Sequence, residues 1–357
     1  MRHFQVKFAS AAHEVWVGAG LIGKLGRLTR EAGLAPGRIA MVTDSNVGPL
    51  YSELASDSLR ASGYEPITIE VEAGEQSKSL EVLATLYDRF VAEQLDRNSI
   101  VFALGGGVVG DLAGFAAATY LRGVPLVQIP TTVVAQVDSS LGGKTAVNHH
   151  HAKNLLGAFY QPRLIVADVA ALRTLADREF REGLAEVIKY GAIMDAAMLE
   201  RYGASLDRIL ARDETAVEQF VGDSLERKAQ VVTDDEREQG RRRILNFGHT
   251  VGHALEAAFG YKQYLHGEAV AIGMVEAAKL SIVCAGLSPA EAEQLSKLIE
   301  RSGLPTAMPP QWQSEEFERA LKLDKKRSDK AVEFVMLEKL GRAVLRRLSF
   351  DDILDNL

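Results

Sequence analysis

The chain has 357 residues, 47% hydrophobic and 25% charged, with a formal net charge of −7 and one cysteine, Cys284. This composition excludes a disordered, collagenous or coiled-coil chain and predicts a folded protein of about two domains. The acidic balance lacks the basic footprint of a nucleic-acid or anionic-membrane binder. A single cysteine excludes an intrachain disulfide framework and points to a reducing, cytoplasmic setting.

In chain order, the charged start (Arg2, Lys7, Glu14) does not read as a secretory signal. The longest uncharged stretches, 98–110 and 123–137, are broken by glycines or prolines and fall short of the roughly 20 apolar residues of a membrane span. β-rich runs at 38–43, 66–71, 99–104, 125–129 and 163–167 alternate with helical stretches. The stretch 80–95 sets Leu80, Leu83, Leu86, Tyr87, Phe90 and Val91 at helical spacing, and 112–119 reads as a small-residue helix. The alternation predicts a parallel sheet with helices on both faces. Past residue 174, helical patterns cover 178–194, 215–232, 250–259, 268–285 and 289–301, and a short alternating pair, 331–336 and 343–348, follows. The expected architecture is an α/β domain, 1–177, then a mainly helical domain, 178–357, with the active site in the cleft between them, where ligand sites concentrate.

Four patterns carry chemistry. Gly105, Gly107 and Gly110 directly follow the 99–104 strand and fit glycine-x-glycine-x-x-glycine. Such a loop brings backbone N–H groups and a helix N-terminus to a phosphate. The acidic ribose ligand expected about 20 residues on is missing. Asp138 is the nearest downstream candidate and Asp44, at an earlier strand end, the other. A tight structural turn would use the same glycines. His249 and His253 are four apart and share a helix face, with Glu256 three further on and His266 beyond. Two imidazoles and a carboxylate suit zinc with an open position, although a packed glycine-rich helix crossing also accommodates two histidines. Glu186 and Lys189, three apart in apolar company, are either a solvated pair or a cleft-facing carboxylate with its cation. Arg122, Lys144, Lys153, Lys228, Arg242, Lys325 and Lys326 either gather into an anion pocket or stand singly on the surface. The His149–His150–His151 run reads as a solvated loop, because three adjacent residues cannot all face one ion. Cys284 reads as inert helix core.

Taken together, the segments GEQSK (74–78), LGGGVVGDLAGFAA (104–117), QIPTTVVAQVDSSLGGKTAVN (128–148), KNLLGAF (153–159), REFREGLAEVIKYG (178–191), VTDDERE (232–238), RILNFGHTVGHALE (243–256) and HGEAVAIGM (266–274) are similar to those of the 3-dehydroquinate synthase family, in order and spacing. The resemblance covers residues 74 to about 330. It implies an NAD-binding Rossmann-like sheet followed by a helical metal- and substrate-binding domain. It assigns one divalent metal, Zn or Co, to Glu186, His249 and His266, and moves His253 to substrate and proton transfer. The implied substrate positions are Asp138, Lys144, Asn154, Lys189, Lys228, Arg242, Asn246 and Lys325, with Arg122 reaching the phosphate pocket of the other subunit of a homodimer. Implied NAD contacts are Asp44, Asn46, Glu75, Lys78, Gly106, Gly107, Val108, Asp111, Thr131, Thr132, Lys144, Lys153 and Thr174.

The implied reaction converts 3-deoxy-D-arabino-heptulosonate 7-phosphate to 3-dehydroquinate and phosphate by transient oxidation, elimination, reduction, ring opening and aldol closure. The chain departs from the family pattern at Ala152, where glycine is usual, at Ala176, where proline is common, and at Phe247, where leucine is frequent. Two rival readings are a cyclase of uncarboxylated sugar phosphates, such as 2-deoxy-scyllo-inosose synthase, and a non-catalytic NAD-binding homologue. The joint presence of Arg242, Asn246 and Lys325 favours a carboxylated substrate, and retention of both ligands and cations favours catalysis.

Overall fold

The computed structural model describes residues 1–8, 12–150, 152–310, 312, 315–323 and 331–356. Lys325, Lys326 and His151 lie outside the described residues. The chain divides into two compact units, Met1–Leu175 with Val217–Arg237, and Ala176–Ala216 with Glu238–Leu357. The sequence predicts a continuous second domain from residue 178. Instead, the segment from Val217 to Arg237 returns to the first unit, where Arg2 pairs with Asp223 at 2.6 Å and Gln161 donates to Glu236 at 3.0 Å.

The first unit contains β1 (Arg2–Lys7), β2 (Ala12–Gly18), α1 (Leu25–Glu31), β3 (Arg38–Asp44), α2 (Gly48–Arg60), β4 (Glu65–Val71), α3 (Leu80–Ala92), β5 (Ile100–Gly105), α4 (Gly107–Thr119), β6 (Leu126–Pro130), β7 (Lys144–His149), β8 (Ala152–Phe159) and β9 (Leu164–Asp168). Seven strands form one sheet in the order β1-β2-β9-β6-β5-β3-β4, and β7 and β8 form a separate hairpin. Only the β1–β2 pair of the large sheet is antiparallel. The central strands are apolar on both faces, as parallel strands covered on both sides must be. Along β3, Ile39 and Met41 join one core while Ala40 and Val42 join the other; along β5, Ile100, Phe102 and Leu104 alternate in the same way with Val101 and Ala103. The strands β1, β2, β7 and β8 escape sequence reading because they mix charged, small and polar residues, and exposed or half-exposed positions interrupt or replace the buried ones.

The second unit contains α5 (Asp177–Met194), α6 (Ala196–Leu210), the start of α7 (Glu214–Asp234), α8 (His249–Ala258), α9 (His266–Cys284), α10 (Pro289–Arg301), α11 (Glu315–Leu323), the hairpin β10 (Ala331–Lys339) and β11 (Arg342–Ser349), and α12 (Phe350–Leu354). The helix α9 packs along α8, α5, α10 and β10 and is buried nearly all round, so it is the spine of the unit. Cys284 does not lie in the core: it is the last residue of α9 and exposed. No helix among the described residues is long and apolar enough to cross a membrane.

Ala152, the departure from the family's glycine, opens β8 opposite His149 and is absent from the residues with positive φ, so a side chain is tolerated there. The His149 and His150 rings lie 3.8 Å apart between centroids, tilted by 40°, and His150 is exposed.

His13 is a titratable group of the first unit's core. Its Nδ1 contacts the Pro162 carbonyl oxygen, and its Nε2 finds no hydrogen-bond partner among the described residues. Burial holds its pKa below the ordinary 6.5 despite the Pro162 contact. The unfolded chain therefore binds the proton first. Stability tied to the neutral ring is whole above about pH 6.5 and is lost as pH falls below it. Between pH 7.5 and 5 the melting temperature of the native chain should fall more steeply than that of His13→Gln; parallel profiles would refute the assignment.

Candidate active site

The strand order reverses at β3: β4 follows it on one side and β5 on the other. Open parallel sheets bind ligands outside the carboxyl ends of their strands at such a switch point. Asp44 ends β3 and Gly105 ends β5, so both nucleotide candidates of the sequence sit at this point. Asp44 caps its own turn, accepting from the N–H groups of Asn46 and Val47, each at 2.9 Å. Gly106 precedes α4, so Gly107 and Val108 form its first turn and offer their N–H groups where the helix dipole is positive. Thr131 and Thr132 follow the adjacent β6, and the Thr131 N–H donates to the Gly105 carbonyl at 3.0 Å.

Three residues on distant segments meet beside this loop. The buried Lys78 ammonium donates to Asp111 at 2.5 Å and to the Asn154 side-chain oxygen. Burial raises the Asp111 pKa, and the Lys78 charge opposes that rise. Lys153 lies 3.9 Å from Glu75. Thr174 shares a 2.7 Å hydrogen bond with Tyr51. One turn of π-helix over Ala135–Ser139 carries Asp138, a distortion frequent at functional sites. Buried Lys228 donates to the Asp138 carbonyl at 2.7 Å and pairs with its carboxylate at 3.0 Å. Lys144, at the start of β7, is exposed. Arg122 is also exposed, in a turn where Leu121 and Arg122 both take positive φ (49° and 67°).

The second unit gathers Glu186 and Lys189 from α5, His249 and His253 from α8, and His266 from the first residue of α9. Glu186 and Lys189 are both buried and in direct contact. Nε2 of His249 and Nε2 of His266 each lie 3.6 Å from the same Glu186 oxygen. Ligand atoms about 2.1 Å from a tetrahedral ion lie about 3.4 Å apart. The spacing and the two-imidazole, one-carboxylate chemistry therefore fit a divalent metal with room for a substrate ligand. Gly248 permits the approach: its φ is +80°, and a Cβ there would meet Met274 and the Val270 carbonyl at 2.6–2.8 Å.

Among the described residues, a second group with ligand atoms within 4.8 Å of one another is His253, Glu256 and His266. The set suggested by helix spacing alone, His249, His253 and Glu256, is not such a group. Glu256 instead faces Nδ1 of His266 at 3.4 Å. Burial and the Lys189 charge hold the His249 pKa well below its usual value, whereas Glu186 and Glu256 outweigh burial and raise that of His266.

Arg242 is buried in the short helical turn Arg241–Asn246, and Asn246 donates to Glu238 at 3.1 Å. Sequence reasoning attached no role to Glu238, although it ends the VTDDERE segment; its φ of 57° is the structural signal. Glu182, at the head of the 182–191 segment, likewise carries no role in the sequence pattern. It accepts the Gly267 N–H at 2.7 Å, one turn before Glu186, and burial pushes its pKa up to about 7.

Residues 68–182 match the family model for the N-terminal part of 3-dehydroquinate synthase, and residues 183–327 match the model for its C-terminal part. The chain is 46% identical to the 3-dehydroquinate synthase of Citrifermentans bemidjiense, over 97% of this chain and 95% of that one. Among solved structures, it resembles 2-deoxy-scyllo-inosose synthase complexed with carbaglucose-6-phosphate, NAD+ and Co2+ (26% identity, TM-score 0.88, 99% and 98% of the two chains). It also resembles 2-epi-5-epi-valiolone synthase from Streptomyces hygroscopicus with NAD+ and Zn2+ bound (27% identity, TM-score 0.87, 100% and 98%). The glycine loop at the switch point, the Glu186–His249–His266 cluster and these matches lead to one assignment: the chain belongs to the 3-dehydroquinate synthase family.

Proposed function

We propose that the chain converts 3-deoxy-D-arabino-heptulosonate 7-phosphate to 3-dehydroquinate and inorganic phosphate, the second step of the shikimate route to aromatic amino acids. The observation that carries this reading is the meeting of Glu186, His249 and His266 beside the buried Lys189. Identity of 46% to a 3-dehydroquinate synthase, against 26% to an inosose synthase, favours the carboxylated substrate.

When bound, Zn2+ or Co2+ supplies Lewis acidity toward the substrate's hydroxyls, and NAD+ a reversible oxidant returned at the end of the cycle. The remaining work falls to side chains. Glu186, His249 and His266 hold the metal. Asp44, Asn46, Glu75, Lys78, Gly106, Gly107, Val108, Asp111, Thr131, Thr132, Lys144, Lys153 and Thr174 are the NAD contacts of this reading. Lys189 places a fixed positive charge beside the metal ligands, where a developing substrate alkoxide gains most. His253 relays the proton, and Asn246 orients the substrate. Arg242, Lys228, Lys144 and Lys325 meet its carboxylate and phosphate, with Asp138 and Asn154 on its hydroxyls. The reading takes the protein as a cytoplasmic homodimer in which the exposed Arg122 serves the other subunit's phosphate pocket.

The test incubates purified protein with the heptulosonate phosphate, trace NAD+ and Zn2+ or Co2+. Phosphate and 3-dehydroquinate should appear in equal amounts, NAD+ should remain unconsumed, and a chelator should abolish turnover. Absence of phosphate release with either metal would overturn this substrate and direct the assay to an uncarboxylated sugar phosphate.

A further inference from the structure

The hairpin of β7 and β8 is irregular at one place. Val147 pairs with Leu156 and His149 with Ala152, so Asn148 alone faces the three residues Lys153, Asn154 and Leu155. Such a bulge re-aims side chains and leaves ladder groups needing other partners. Asn154 takes φ +55° there, an uncommon conformation for a residue with a side chain.

The Asn148 side chain meets both demands. Its Oδ1 accepts the Asn154 N–H at 2.8 Å. Its Nδ2 donates to Glu75 Oε1 at 2.7 Å, and its own N–H donates to the Lys78 carbonyl at 2.8 Å. Lys78 completes the ring by donating from Nζ to the Asn154 side chain. One amide thus joins the Glu75–Lys78 turn to the bulge that projects Lys153 and Asn154.

We propose that Asn148 is a positioning residue that aims Asn154 at the substrate and Glu75 at the nicotinamide dinucleotide, tying the two binding elements together. The proposal rests on the reading of Glu75, Lys78 and Lys153 as cofactor contacts and Asn154 as a substrate contact. Neither contact type requires Asn148 to touch a ligand. Its two side-chain atoms serve different limbs, so the limbs can be separated by substitution.

Asn148→Asp keeps an oxygen for the Asn154 N–H but sets a second carboxylate against Glu75. Asn148→Ala removes both limbs. The experiment measures NAD+ affinity by calorimetry, and KM and kcat for the heptulosonate phosphate, with the melting temperature as a fold control. Asn148→Asp should weaken NAD+ binding about tenfold, the scale of a lost charge-assisted hydrogen bond, and leave the substrate KM within about threefold. Asn148→Ala should raise both constants about tenfold. Both constants staying within about twofold in both variants would overturn the proposal, as would an identical parallel loss in the two. If Asn148→Ala does not fold, Asn148→Asp alone retains the test, because only the positioning role separates its two constants. Native protein that does not bind NAD+ would overturn the functional reading itself; native protein that binds, with variants that match it, overturns only this inference.

Discussion

His249→Ala should leave a folded protein without metal and without measurable turnover. In the proposed reading His249 offers one of three ligand atoms, in a cluster whose Nε2–Oε1 spacings are 3.6 Å. Loss of an outer-sphere partner already costs 10–100-fold in metal affinity, so loss of a ligand should cost more than about 100-fold. The side chain is mostly covered but stands on the first residue of α8, so the metal-free fold should change little. Elemental analysis after dialysis and the melting temperature in chelator separate the two effects. His253→Ala is the paired measurement: its ring lies 5.3 Å from that of His249, and it should keep metal while losing turnover. Full metal content in His249→Ala, or equal loss of metal in both variants, would sink the assignment of ligands and relay.

Gly273→Ala should disable the same site without touching a ligand. A Cβ on Gly273 would fall 1.9 Å from the Gly248 carbonyl oxygen and 3.0 Å from the Gly252 N. Both atoms are backbone, so no side chain can turn aside, and α8 must move off α9. One helix carries His249 and the other His266, so their separation opens the cluster. Overpacking of this kind costs about 3 kcal/mol. The expected result is a clearly lower melting temperature in chelator together with loss of metal binding. Gly37→Ala is the control, because a Cβ there meets nothing within 4 Å and its φ is not positive. Native stability and metal content in Gly273→Ala would show that α8 and α9 can separate without cost to the cluster.

By itself the sequence determined the elements whose pattern is local. The buried strands β3, β5, β6 and β9 announce themselves by runs of apolar residues, α5, α8 and α10 by helical periodicity, and α9 by a long, mostly apolar stretch, the helices ended by glycine, proline or charge. The glycine loop and the i, i+4 histidines are legible for the same reason, because their geometry is set within a few residues. The family segments added the pairing of Glu186 with His249 and His266, which no local spacing supplies.

Tertiary structure alone decided the rest. Glu186 reaches two histidines 63 and 80 residues away only because α5 and α8 both pack on α9, and that packing depends on backbone approach at Gly248, Gly267 and Gly273. The switch point between β4, β3 and β5 is a property of strand order, which alternation of strands and helices leaves open. The return of Val217–Arg237 to the first unit splits one continuous helical pattern between two bodies, and only long-range contacts reveal it. Cys284 shows the limit of pattern at a helix end: apolar neighbours suggest core, but the last residue of α9 is exposed.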